Sequence, residues 1–97
     1  MKNKLENGTL TIYLEGELNS YNSEEVEKEL DSLTKGTTFN ALVLDFENLS
    51  YISSAGLRII VRLKQQFDNT KLVRVPKGVY DIFDMVGFQN IIDIERL

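Results

Sequence analysis

Apolar and polar positions change their period several times along this chain, and each change marks an element. From Thr9 to Leu14, Leu10, Ile12 and Leu14 alternate with Thr9, Thr11 and Tyr13. A period of two with one apolar face predicts a strand covered on one side. Asn7-Gly8, directly before it, is a hairpin signal that joins this strand to a short segment around Lys2 to Leu5. Gly16-Glu17-Leu18-Asn19-Ser20 breaks the alternation and predicts the end of the strand. Asn22 followed by Glu25 has the spacing of a capping box. Val26, Leu30 and Leu33 then fall on one narrow helical stripe, with Gly36 near the C-cap. This helix is expected to lie on the surface of a sheet.

Ala41 to Phe46 is apolar on both faces up to Asp45, the pattern of a central strand covered by helices. A second helix is expected from about Ala55 to Phe67. Leu57, Ile59, Ile60, Val61, Leu63 and Phe67 form its apolar arc, and Arg58, Arg62, Gln65 and Gln66 its polar side. Asp68-Asn69 makes a turn, and Leu72, Val73 and Val75 form a strand stopped by Pro76. Val79, Ile82, Phe83 and Val86 read as a short helix closed by Gly87, and Ile91 to Ile94 as a last strand. The order β-β-α-β-α-β-α-β favours parallel pairing through crossovers. The expectation is a single α/β domain over residues 1–97: one mixed β-sheet with helices mainly on one face.

Composition narrows the chemistry. The 97 residues contain no cysteine and no histidine. That removes disulfides and thiolate metal sites, and with them the commonest general base and zinc ligand. No segment approaches the length of a membrane span, and Met-Lys-Asn-Lys-Leu-Glu lacks the apolar stretch of a signal peptide. The expected compartment is the cytoplasm. A net charge of −4 argues against nucleic acid as a direct partner. Glu24, Glu25, Glu27, Glu29 and Asp31 read as a solvated helix face, with a docking surface for a basic partner as the alternative.

The candidate chemistry lies in Tyr51-Ile-Ser-Ser-Ala-Gly-Leu-Arg58, where a buried strand hands over to an amphipathic helix. Ser53 and Ser54 sit beside the unpaired N–H groups of a helix start, which tolerate negative charge. Either serine could be a plain cap, or an acceptor of phosphate. Gly56 lies in the first turn, where alanine would suit a helix better by about 1 kcal/mol. Its missing side chain serves either close packing on the sheet or close approach by a partner. Asp45 reads as a turn residue closing the central strand and shaping the surface beside the serines, and Asn19 as a turn residue with a second role in surface contact. Catalysis finds no support: a serine nucleophile lacks a histidine base, and the Gly-x-Ser-x-Gly elbow is absent. Gly56 stands alone, and Lys64 has no phosphate-binding loop around it. Asp81, Asp84, Asp93 and Glu95 lack metal-ligand spacing, so neither metal nor cofactor is expected.

Three segments together resemble the STAS domain, and within it the stand-alone bacterial anti-sigma factor antagonists. Gly16-Glu17-Leu18-Asn19 is similar to the family's Gly-x-Leu-Asp segment, with asparagine for aspartate. Leu42 to Leu49, then Tyr51 to Leu57, resembles the strand, loop and helix start that hold its regulatory serine. Phe83 to Phe88, then Ile91-Ile92, resembles its C-terminal helix–glycine–strand segment. The likeness covers essentially the whole chain. It implies a non-enzymatic protein that binds an anti-sigma factor serine kinase, frees a sigma factor, and is disabled by phosphorylation and restored by a phosphatase. Aligned on the family pattern, the acceptor is Ser54, with Ser53 as second choice. Ser53 stands where many members carry aspartate, which removes a carboxylate and adds a second hydroxyl. Asn19, Ser53, Ser54, Ala55, Gly56 and Arg58 are the expected partner-binding residues, on a monomer. A STAS adaptor that is never phosphorylated, such as a subunit of a lipid-transport complex, is the alternative; a metabolite-binding regulatory domain ranks below both.

Overall fold

The computed structural model describes all residues, 1–97. Two strands, β1 (Asn3–Glu6) and β2 (Thr9–Leu18), are followed by α1 (Ser23–Lys35), β3 (Ala41–Ile52), α2 (Ser54–Gln66), β4 (Thr70–Val75), α3 (Lys77–Met85), a 3-10 turn at Phe88–Asn90, and β5 (Asp93–Arg96). The strands form one five-stranded sheet in the order β1-β2-β3-β4-β5. β1 pairs antiparallel with β2, and every later pair is parallel, each crossover carrying a helix. The mixed sheet expected from the element order is therefore the one observed.

The hairpin closes where Asn7 and Gly8 both adopt positive φ, 52° and 79°. That is the twist a two-residue turn needs to match its flanking strands. The Gly8 carbonyl then accepts from the amides of Asn40 and Ala41 and so fixes the entry to β3.

Register explains which face is covered. Leu10 lies opposite Leu42, Ile12 opposite Leu44, and Leu44 opposite Leu72. All five are buried, together with Leu14 and Phe46. These residues share the face on which the helices rest, through Leu30 of α1, Ile59, Ile60 and Leu63 of α2, and Val79 and Phe83 of α3. Each fully buried leucine or phenylalanine contributes about 1.5–3 kcal/mol. Phe83 packs edge-on against Phe46 and flat against Phe88, with centroid separations of 5.5 and 5.1 Å. Thr9, Thr11, Tyr13, Ala41, Val43 and Val73 lie at the opposite parity and are only half-buried. β3 is central, and its helix cover lies on one face, in line with the expectation of helices mainly on one face of the sheet; the residues of its apolar run that face away from the helices are half-buried.

Other expectations need correction. β2 does not end at Leu14; it continues to Leu18 through register shifts between Tyr13 and Glu15 and between Gly16 and Glu17. β3 likewise runs on to Ile52 beside it. Asn22 occupies the N-cap position of α1, but its side chain makes no capping bond. Val86 and Ile91 belong to exposed surface, and β5 begins two residues later than Ile91.

Candidate functional site

The extensions of β2 and β3 bring two loops together. Glu17 pairs with Tyr51 and Leu18 with Ile52, so both strands end side by side. One chain turns into the Asn19–Asn22 loop and the other into α2. The Ser53 amide donates to the Leu18 carbonyl at 2.8 Å, and the Ser50 hydroxyl to the Gly16 carbonyl at 3.0 Å.

The first loop is locked by its own side chains. Asn19 Oδ1 accepts from the amides of Tyr21 and Asn22, at 2.9 and 3.1 Å. Asn22 Oδ1 accepts from the Asn19 amide at 2.9 Å, and its Nδ2 donates to the Glu17 carbonyl at 2.7 Å. Asn22 is thus taken by the loop, which is why it does not cap α1. The turn holds Tyr21 outward at 96% exposure.

At the second loop the two serines differ. Ser53, extended at φ −92° and ψ 174°, is the N-cap of α2, and its Oγ accepts from the Gly56 amide at 3.3 Å. Ser54 is the first helical residue and is exposed; its hydroxyl makes no hydrogen bond within the chain. Ala55 is half-buried, and Arg58 is exposed one turn along. Gly56 is buried, and a Cβ there would lie 2.7 Å from Ile52 Cγ1 and 2.8 Å from Leu18 Cγ. Its missing side chain serves packing of α2 on the sheet, so Gly56 sits beneath the outward face and not on it.

Asp45 does not end its strand. It is 6% exposed in mid-β3, where Oδ1 accepts from the Glu47 amide at 3.0 Å and Oδ2 from Arg74 Nε at 3.1 Å. Arg74, itself at φ 53°, also pairs with Glu47. Asp45 is therefore a structural anion within the sheet, tied to β4 and not to the serine loop.

Part of the acidic face of α1 is also committed. Arg62 of α2 donates from Nε to Glu27 at 2.7 Å and from Nη2 to Asp31 at 2.6 Å. Burial is the strongest influence on Arg62 and lowers its pKa. The hydrogen bonds and charges of Asp31 and Glu27 together outweigh it, so the net shift is upward. Glu24 lies with Glu27, Arg58 and Arg62 along a shallow groove between α1 and α2. No three carboxylates converge in a way that would hold a metal ion. No helix is long and apolar enough to cross a membrane.

The structure thus brings Asn19, Ser53, Ser54, Ala55 and Arg58 to one end of the molecule, with Gly56 below them. Nothing in the hydrophobic pattern singles out Tyr21; the Asx-turn signal of Asn19 was the cue that its neighbour would be held outward. What this end offers chemically is a free hydroxyl on a rigid, water-exposed rim.

Known proteins share this fold. The family model for the STAS domain matches residues 1–96. BtrV of Bordetella bronchiseptica, assigned as an anti-sigma factor antagonist, is 35% identical over 92 residues, spanning 90% of this chain and 78% of its own. The anti-sigma F factor antagonist of Paenibacillus polymyxa is 28% identical over the same share of each. Among solved structures, a Thermotoga maritima protein assigned the same role superposes with a TM-score of 0.86 at 20% identity, covering 99% of this chain and 86% of that one. SpoIIAA in its unphosphorylated form superposes with a TM-score of 0.73 at 20% identity, covering 96% of this chain and 87% of that one. The chain belongs to the STAS-domain family, among relatives that are bacterial anti-sigma factor antagonists.

Proposed function

We propose that this protein is itself an anti-sigma factor antagonist. In this reading it docks on a cytoplasmic anti-sigma factor through the end of the molecule that carries Ser54, Asn19 and Arg58. Phosphorylation of Ser54 by that partner, acting as a serine kinase, switches it off, and a phosphatase restores it. It has no enzymatic role of its own. The general role rests on the names of its relatives. The choice of Ser54 rests on one observation: its hydroxyl is exposed and unbonded at the head of α2, whereas that of Ser53 is committed to the cap.

The chemistry is a phosphoryl transfer. An Oγ–P bond forms at Ser54, the bridging bond to the γ-phosphorus of ATP breaks, ADP leaves, and a base of the kinase takes the hydroxyl proton. The product carries a charge of about −1.5 to −2 and three strong acceptors. In a closed protein contact that charge must be desolvated or repelled. Each 1.4 kcal/mol lost is about tenfold in affinity, so a few kcal/mol abolishes docking without refolding. The free amides at the head of α2 and the helix dipole, worth about 0.3–1 kcal/mol, make the modified protein tolerable alone.

The test is incubation of wild type, Ser53→Ala and Ser54→Ala with the anti-sigma factor kinase of the same genome and ATP, read by intact mass. The expected result is gain of one phosphoryl group by wild type and Ser53→Ala and none by Ser54→Ala. A chain that binds its partner and takes no phosphate in any form would instead be the constitutive adaptor.

A further inference from the structure

Arginines in this protein are almost all engaged. Of the four, Arg62 bridges Glu27 and Asp31, Arg74 bridges Asp45 and Glu47, and Arg96 lies 4.4 Å over the ring of Tyr80. Arg58 has neither an ion pair nor an aromatic partner, and it is exposed. It stands at i+4 from Ser54 on the same helix. Side chains at that spacing are neighbours on a helix surface, about 5–6 Å apart at Cβ. Helical side chains lean toward the N-terminus, so an arm as long as that of Arg58 can reach back over the turn that Ser54 begins.

The charged surroundings leave this arginine available. Glu24, Glu27 and Arg62 line the same groove. Glu27 is already held by Arg62, and Glu24 lies beyond ion-pair distance of Arg58. A planar guanidinium matches two phosphoryl oxygens at once, which a carboxylate on the groove rim matches less well in charge.

Building on the reading of Ser54 as the acceptor, we infer that Arg58 is the built-in counter-ion of phosphorylated Ser54. When the phosphoryl group is added, the guanidinium closes on it within one helical turn. The modification then acts twice. It places an anion on the docking end, and it withdraws the one uncommitted arginine that could meet a carboxylate of the partner.

Phosphoserine installed at position 54 during translation permits a direct test without kinase or partner. The second ionisation of the phosphate is followed by phosphorus NMR in the wild-type background, in Arg58→Gln and in Arg58→Lys. Capture favours the dianion, so the midpoint in the wild-type background should lie lower than in Arg58→Gln by about 0.3 of a pH unit or more, with Arg58→Lys between them. Equal midpoints in all three would overturn the capture while leaving Ser54 as the switch. Failure of the kinase to modify Ser54 would remove the switch and leave this titration unaffected.

Discussion

The amide of Ser53 and the carbonyl of Leu18 are joined by a 2.8 Å hydrogen bond. It ties the head of α2 to the end of β2, so the Asn19 loop and the serine loop form one rigid rim. Beneath it, Leu18 and Ile52 fill the space a side chain on Gly56 would need.

Gly56→Ala is accordingly expected to destabilise the fold. Overpacking a filled site costs about 1–3 kcal/mol, against a helix-propensity gain of about 1 kcal/mol. Urea denaturation should show a lower midpoint with an unchanged slope. A variant as stable as wild type would mean that α2 can lift from the sheet without cost.

The two serines should separate in the same experiment. Ser53→Ala loses the bond to the Gly56 amide and is expected to cost about 1 kcal/mol. Ser54→Ala removes an exposed, unbonded hydroxyl and should stay within about 0.5 kcal/mol of wild type. Reversal of that order would assign the cap to Ser54.

Arg62 fastens α2 to α1 through two carboxylates at a partly exposed site, so Arg62→Gln should cost about 1 kcal/mol, less in high salt. The sign with pH follows from its raised pKa. Stability from a raised pKa is fully present below the unfolded value and is lost only as pH rises through the folded one. The gap between wild type and Arg62→Gln should therefore hold steady from neutral pH to about pH 10, since arginine titrates above that range. Denaturation at two alkaline pH values checks it; a gap that closes on the way would place the interaction elsewhere.

Tyr21 is held outward by Asn19 Oδ1 and touches almost nothing in the free protein. Aromatic side chains on a rigid rim make strong anchors in protein interfaces. Tyr21→Ala should leave stability within about 0.5 kcal/mol and weaken binding to the anti-sigma factor about tenfold or more. Unchanged binding, measured by calorimetry, would remove Tyr21 from the docking face.

Much of this was legible in the chain. Asn7-Gly8 named its own turn, because few residues accept positive φ twice in succession. The apolar arc of α2 and the alternation in β2 marked their covered faces, since burial imposes a period. What escaped depends on distant partners. The run of β2 past Gly16 rests on parallel pairing with β3, and the run of β3 past Asp45 on the same pairing. Asp45 is an ion-pair residue because Arg74, far along the chain, folds beside it. Glu27 and Asp31 are ion-paired, and not simply free surface charges, because Arg62 packs across from them. The spacing of those acids and of Arg58 and Arg62 by four was the available hint of facing helices, but it names no pairing. At the site, sequence left Ser53 and Ser54 open, because capping is decided by backbone geometry at a single residue.

The most direct measurement is the affinity of the anti-sigma factor kinase of the same genome for three forms of the protein: wild type, Ser54→Ala, and the chain carrying phosphoserine at position 54. Wild type and Ser54→Ala should bind alike, and the phosphorylated form about a hundredfold or more weaker, equivalent to roughly 3 kcal/mol. Equal affinity across all three would contradict the claim that charge at Ser54 controls docking.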